Sequence, residues 1–193
     1  MKKLVIMAAL ALSSVGAFAQ QAVGTWSVTP KVGMTIANLS GDVNGAKAKV
    51  GLVAGAEAEY QITDMISVTG GAFYSMQGAK GKNDSGFGEK LNIDYLNIPI
   101  LCNVYVAKNF AVKLGAQLGI NVNADAKTGN LTMDVGDEIE TVDLSIPVGL
   151  SYEYQNFVID ARYNWGLTNI VKGADGSARN SVFQITLGYK IPL

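Results

Sequence analysis

Glu57 and Glu59, one residue apart, are the first place where this chain could do acid–base chemistry. In a strand they share a face, about 6.6 Å apart along the chain, within the separations used by paired carboxylates in glycoside hydrolysis. The same register carries a nearly balanced set of charges: Lys31, Lys113, Arg162 and Lys190 against Glu57, Glu59, Asp143, Glu153 and Asp160. Charges brought together out of water must pair, because an isolated buried charge is costly. A second group of carboxylates, Asp125, Asp134, Asp137, Glu138 and Glu140, is closely spaced and could hold a divalent cation, although the EF-hand ligand order is missing. Histidine is absent, which removes the usual general base of a serine nucleophile and a common zinc ligand. No GxGxxG, P-loop, CxxC or HExxH spacing occurs. The chain therefore reads as non-enzymatic, with no catalytic, cofactor or metal residues. The nine strand charges read as a structural network, and a narrow ion or proton path through them is the competing reading.

The elements that must position these charges alternate with period two. Val50, Leu52, Ala54, Ala56, Ala58, Tyr60 and Ile62 form one set, with Gly51, Val53, Gly55, Glu57, Glu59 and Gln61 between them. Phe110 to Val122 splits the same way, with Lys113, Gln117 and Asn121 in the polar set. Successive side chains of a strand point to opposite faces. An apolar face backed by a face of Gly, amides and charges suits a barrel wall between lipid and a polar lumen. Eight strands are expected: Thr25–Leu39, Lys49–Ile62, Ile66–Ala79, Lys90–Val106, Phe110–Asn123, Val142–Tyr154, Phe157–Thr168 and Ser181–Leu193. Thr63-Asp64-Met65, Ala107-Lys108-Asn109 and Gln155-Asn156 are tight turns. Ser40–Ala48, Lys80–Glu89, Ala124–Thr141 and Asn169–Asn180 are long, polar connections. Short turns at one end and long loops at the other are the pattern of an eight-stranded antiparallel transmembrane up-and-down β-barrel.

Residues 1–19 read as a cleaved signal peptide. Lys2 and Lys3 precede the apolar Leu4–Leu12, and Ala17-Phe18-Ala19 is a small-x-small cleavage site. Residues 20–193 then form one β-barrel domain. Charged residues make up 16% of the chain, against about 25% in an ordinary soluble domain, and no basic run points to nucleic acid. Cys102 is the single cysteine, in an apolar register that reads as a small buried hydrophobe. Tyr60, Phe110, Tyr152, Tyr154 and Phe157 lie near the short turns, and Tyr74, Tyr95 and Trp165 nearer the long loops, as two aromatic girdles would place them. In the fourth strand Leu91, Ile93 and Tyr95 are apolar in one register and Leu96, Ile98, Ile100, Cys102, Val104 and Val106 in the other. A β-bulge near Tyr95–Asn97 would switch the phase, leaving Pro99 facing inward.

Three stretches carry a family resemblance. Ile93–Leu101 (IDYLNIPIL) resembles the Tyr-Leu-x-Ile-Pro-x-Leu signature of the PorT-like outer-membrane β-barrel family. Ala161–Ile170 (ARYNWGLTNI) resembles its Arg-Tyr-x-x-Gly-Leu-x-Asn segment, and Phe183–Pro192 (FQITLGYKIP) its closing strand. The resemblance implies a small porin-like barrel in the outer membrane of a Gram-negative bacterium, and it fixes no activity. No wall-binding domain is expected after Leu193.

The expected function is that of an outer-membrane barrel with a plugged polar lumen, whose outer loops bind a ligand or protein or which serves envelope integrity. Both termini would be periplasmic. Its partners would be outer-membrane lipid and, during insertion, the barrel-assembly machinery. The alternatives are a porin or narrow channel for small solutes and an accessory subunit of an outer-membrane secretion machine. A soluble lipocalin-like barrel would have the same period with the opposite phase, its apolar set inside.

Overall fold

The computed structural model describes residues 21–41, 47–81, 89–128, 131–172 and 177–193. The leader read at residues 1–19 lies outside them, as do parts of the long connections. Ten strand segments follow in order: β1 (Trp26–Gly41), β2 (Lys47–Gln61), β3 (Ile66–Lys80), β4 (Glu89–Ala107), β5 (Phe110–Thr128), β6 (Leu131–Asp134), β7 (Val142–Tyr154), β8 (Phe157–Gly166), β9 (Ala178–Tyr189) and β10 (Ile191–Pro192). Each wall strand pairs antiparallel with its sequence neighbour, and β1 pairs with β9 from Lys31↔Gly188 to Gly41↔Ala178, which closes the sheet. The short β6 folds back on β5, and β10 continues β9 against the start of β1. The wall is thus an eight-stranded barrel without a free edge, the solution that satisfies every backbone group in lipid.

The phase is apolar outside. Along β7, Val142, Leu144, Ile146, Val148, Leu150 and Tyr152 are exposed, while Asp143, Ser145, Ser151 and Glu153 are buried. The adjacent Leu114 and Lys113, and Ile159 and Asp160, divide in the same way. This excludes the soluble barrel with an apolar lumen. On β1 the outward apolar run extends from Trp26 to Ile36. Ten residues are about 33 Å along a strand, or about 25 Å at the usual tilt, the height of an outer-membrane belt. Trp26, Tyr60, Tyr152, Tyr154, Phe157 and Tyr189 ring the short-turn end, with Trp26–Tyr60 and Phe157–Tyr189 rings in contact. Tyr74, Tyr163, Trp165 and Phe183 lie outward nearer the long loops.

Four sequence expectations are corrected. Cys102 is exposed on the outward face rather than buried, because its register is the belt register. Tyr95 is not part of a girdle; it is fully buried inside the barrel. The β4 strand keeps one phase against β3 from Lys90 to Val104. The register break lies instead on β5, where Asp94 faces Asn123, Tyr95 faces Asn121, and Val122 is the extra residue. Leu91, Ile93 and Tyr95 therefore stay inward, and what changes along β4 is the polarity of the interior. Finally, the third long connection is partly strand, since β5 runs to Thr128 and returns as β6.

An arginine placed on the two faces of β5 reads the phase directly. Leu118→Arg at the belt should cost about 2–4 kcal/mol of insertion free energy, and Gln117→Arg in the polar interior clearly less. Urea titration of liposome-folded protein, followed by the gel mobility of folded against unfolded barrel, measures both; the reverse order would place the apolar face inside.

Candidate functional site

The interior is built from the inward-facing half of every strand. Lys31 from β1, Glu57 from β2, Lys113 from β5, and Asp160 and Arg162 from β8 meet in the middle. Lys31 Nζ lies 2.5 Å from Glu57 Oε2 and 3.2 Å from Asp160 Oδ2, and Lys113 Nζ 2.8 Å from Asp160 Oδ2 and 3.5 Å from Glu57 Oε2. Arg162 donates through Nη2 to Glu57 Oε1 at 2.5 Å and through Nε to Asp160 Oδ1 at 2.9 Å. The Phe73 ring lies 5.8 Å from the guanidinium carbon of Arg162, a cation–π distance.

A second cluster sits toward the short turns. Lys190 Nζ lies 2.5 Å from Glu153 Oε1 and 2.9 Å from Glu59 Oε2. The Tyr105 hydroxyl is 2.7 Å from Glu59 Oε1 and 2.8 Å from Glu153 Oε1. Ser67 donates to Glu59, and Asn103 to Ser67. The two clusters complement each other. The central one holds three cations and two carboxylates, the second one cation and two carboxylates, so four positive charges face four negative ones. Glu57 and Glu59 thus share a face but fall in different clusters, each carboxylate held by cations.

Asp143 stands apart. It is buried nearer the long loops and makes none of these ion pairs; it accepts from Thr168 Oγ1 at 2.6 Å and from Asn180 Nδ2 at 2.8 Å. Beyond it the interior turns apolar. Leu39, Ala79, Ile93, Tyr95, Ala124, Ile139, Ile170 and Ala178 pack together, with Leu91, Val135 and Val171 against them. Ile139 and Ile170 come from two different connections, which bond to each other through Glu140 N–H to Ile170 O and Lys172 N–H to Glu138 O. The connections therefore fold over the long-loop mouth and stop it with hydrocarbon.

The loop carboxylates do not converge. Asp125 faces Asp134 across β5–β6, Asp134 Oδ1 accepts from Gly136 N–H, and Asp137 and Glu138 are exposed on a 3₁₀ turn. Among the described residues no three metal-ligating side chains gather.

Sequence reasoning missed Tyr105, Phe73, the apolar stopper and the role of inward glycines. Tyr105 and Phe73 occupy the inward register and could have been found by parity. A Cβ on Gly71 would meet Glu57 Cγ at 2.8 Å, on Gly149 Arg162 Cβ at 2.8 Å, and on Gly188 Lys31 Cγ at 2.7 Å. These glycines leave room for the long charged side chains that cross from neighbouring strands.

An apolar outer wall, a charge-paired interior and a stoppered mouth define a small transmembrane β-barrel. The chain belongs to the outer membrane protein beta-barrel domain family, whose model matches residues 18–172. No curated protein matches the chain. Its fold is similar to that of Ail, the attachment invasion locus protein of Yersinia pestis, with 18% identity, a TM-score of 0.55, and 88% of this chain and 99% of that one covered. Ail has also been crystallised with the heparin analogue sucrose octasulfate. Neisserial surface protein A is similar at 17% identity and a TM-score of 0.53, with 86% and 96% covered.

A mutant cycle tests whether the central charges act as one unit. Asp160→Asn leaves three cations facing Glu57 alone and should destabilise the barrel by about 3–5 kcal/mol. Adding Lys31→Met restores the charge balance, so the double variant should regain part of that loss, a coupling of about 0.5–3 kcal/mol by urea unfolding. Additive losses would mean that the charges act separately.

Proposed function

We propose that this chain is a non-enzymatic outer-membrane barrel whose interior is a structural plug and whose long connections form its working surface, for binding or for envelope integrity. The observation that carries the reading is the stopper of Ile93, Tyr95, Ile139 and Ile170 above an interior filled by two ion-paired clusters. Eight strands leave a lumen only wide enough for side chains to fill. Here those side chains are held by ion pairs at one level and by apolar packing at the next. Such a lumen offers no continuous aqueous path, which argues against the porin reading.

In this reading the long connections face outward from the cell and both termini lie in the periplasm, the usual arrangement of short periplasmic turns and longer outer loops. Lipid covers the belt, and the barrel-assembly machinery inserts it. The PorT-like resemblance of Ile93–Leu101 and Ala161–Ile170 is compatible with a secretion accessory, but those segments supply Ile93, Tyr95 and Ile170 of the stopper and the Arg162 that pairs with Glu57.

Two measurements test this. Reconstituted protein should admit no small sugar into liposomes; steady uptake absent from an unfolded control would promote the porin. For orientation, in a Cys102→Ala background, Leu131→Cys on β6 should react with a membrane-impermeant maleimide on intact cells, and Lys108→Cys at a short turn only after lysis. The opposite labelling would reverse the barrel in the membrane.

A further inference from the structure

Four lysines lie directly opposite one another across four adjacent strands. Lys47 of β2 pairs with Lys80 of β3, Lys80 with Lys90 of β4, and Lys90 with Lys127 of β5. All four are exposed, and none has an ion-pair partner among the described residues. The inward positions beside Lys80 and Lys90 are Ala79 and Leu91, which pack into the stopper, so these lysines stand on the outward face. Strands are about 4.8 Å apart, so four like charges fall within roughly 15 Å. Like charges directly opposite in a sheet are destabilising. A row of three consecutive such pairs opposes folding unless something negative lies along it.

Below the row is a cleft of about 290 Å³, lined by Lys49, Val50, Gly51, Met76, Asn92, Asp94, Asn123, Asp125 and Lys127. Lys49 enters it from the register break of β2 against β3 and donates to the Gln77 carbonyl at 2.6 Å. Its acids are engaged: Asp94 accepts from the Tyr74 hydroxyl at 2.8 Å, and Asp125 from Asn123 Nδ2 at 3.0 Å. With Asp134 beside Asp125, five lysines face three carboxylates among the described side chains, a surplus of two positive charges. Underneath, the wall returns to the belt residues Val50, Met76, Leu96 and Val122.

Height identifies the partner. The lysines lie three to six residues past those belt residues along their own strands, or about 8–15 Å above the hydrocarbon at the usual tilt. A phospholipid headgroup layer is only about 5–8 Å deep. We propose that this row binds the phosphorylated saccharide headgroup of an outer-leaflet glycolipid, with its phosphates along Lys47–Lys80–Lys90–Lys127 and sugar hydroxyls against Asn92, Asn123 and Lys49. Lysine ammoniums act as point charges on phosphate, and asparagines can both donate to and accept from a hydroxyl. The leaflet assignment rests on the orientation proposed above; the site itself does not.

The full barrel, folded in a zwitterionic detergent, is titrated with rough lipopolysaccharide in native and chemically dephosphorylated forms. Each lysine near an anionic lipid surface contributes about fivefold to binding, so Lys80→Gln with Lys90→Gln should bind the native glycolipid about 25-fold more weakly. Lys108→Gln at the opposite end should bind as wild type, and all proteins should keep the gel mobility of a folded barrel. Dephosphorylation should cost wild type at least tenfold and the double variant much less. The proposal is overturned if the double variant binds like wild type or if the dephosphorylated form binds equally well. It is also overturned if phosphatidylglycerol competes as strongly as the glycolipid, which would show a general anionic-lipid attraction. Equal binding of soluble sucrose octasulfate would overturn it as well, by identifying a site for soluble polyanions. Binding in vitro with Leu131→Cys unlabelled on intact cells would keep the site and reject only the orientation.

Discussion

The structure depends on charge neutrality in a space too narrow for free water. Moving one carboxylate or ammonium from water into a protein interior costs several kcal/mol even after relaxation. Eight such groups form the two ion-paired clusters of this lumen, and Asp160 and Arg162 are 0% and 1% exposed. Their arrangement is tolerable because each carboxylate meets more than one donor. Asp160 takes Arg162, Lys31 and Lys113; Glu59 takes Lys190, Ser67 and Tyr105. The residues come from β1, β2, β4, β5, β7, β8 and the end of β9, so the network ties the wall together across the lumen. A slip of one residue in any of these strands would turn its charges into lipid and its apolar set inward. The network therefore stabilises one register as well as filling space.

Period two made the strand number and the two faces of each strand legible in the sequence, while the phase rested on low charge, the aromatic girdles and the alternating connection lengths. Glu57, Glu59, Asp160 and Arg162 could be assigned to one face because a strand has only two, and low overall charge argued that this face was the inner one. The partition into two clusters was not legible. It follows from strand tilt and stagger, which decide that Lys190 reaches Glu59 while Lys31 reaches Glu57. The β4 misreading has a clear cause. An apolar inward run mimics a change of phase in any strand whose lumen is expected to be polar throughout. Ile93 and Tyr95 kept their phase; the lumen is what changed, since Ile139 and Ile170 descend from distant connections to meet them. Contacts that join residues 93, 139 and 170 leave no periodic trace in any one segment.

The two ends of the barrel are consequently sealed by different physics. Toward the short turns the seal is electrostatic, with Lys190, Glu59, Glu153 and Tyr105 in one hydrogen-bonded group. Toward the long connections it is hydrophobic and formed by segments remote in sequence. An apolar stopper needs no matching charge on the connections that carry Ile139 and Ile170, so it constrains their packing without fixing their polarity elsewhere. Loops carried on a rigid scaffold in this way can change without disturbing its core.

The outer wall continues this logic above the belt. Up to Leu96 and Val122 the outward side chains are apolar, and past the extra residue Val122 they become Asn123, Asp125 and Lys127. The bulge does the switching. Without it, the outward phase of Leu118 to Val122 would have carried Ala124 and Ala126 outward and Asp125 and Lys127 into the stopper, burying two charges in hydrocarbon. By inserting one residue, β5 keeps Ala124 inside against Ile93 and turns its charges out beside Asn92 and Lys90. The belt edge, the apolar stopper and the lysine row thus share one backbone irregularity. Bulges commonly re-aim side chains at barrel rims, and here a single one lets the same strand serve lipid below and a polar surface above.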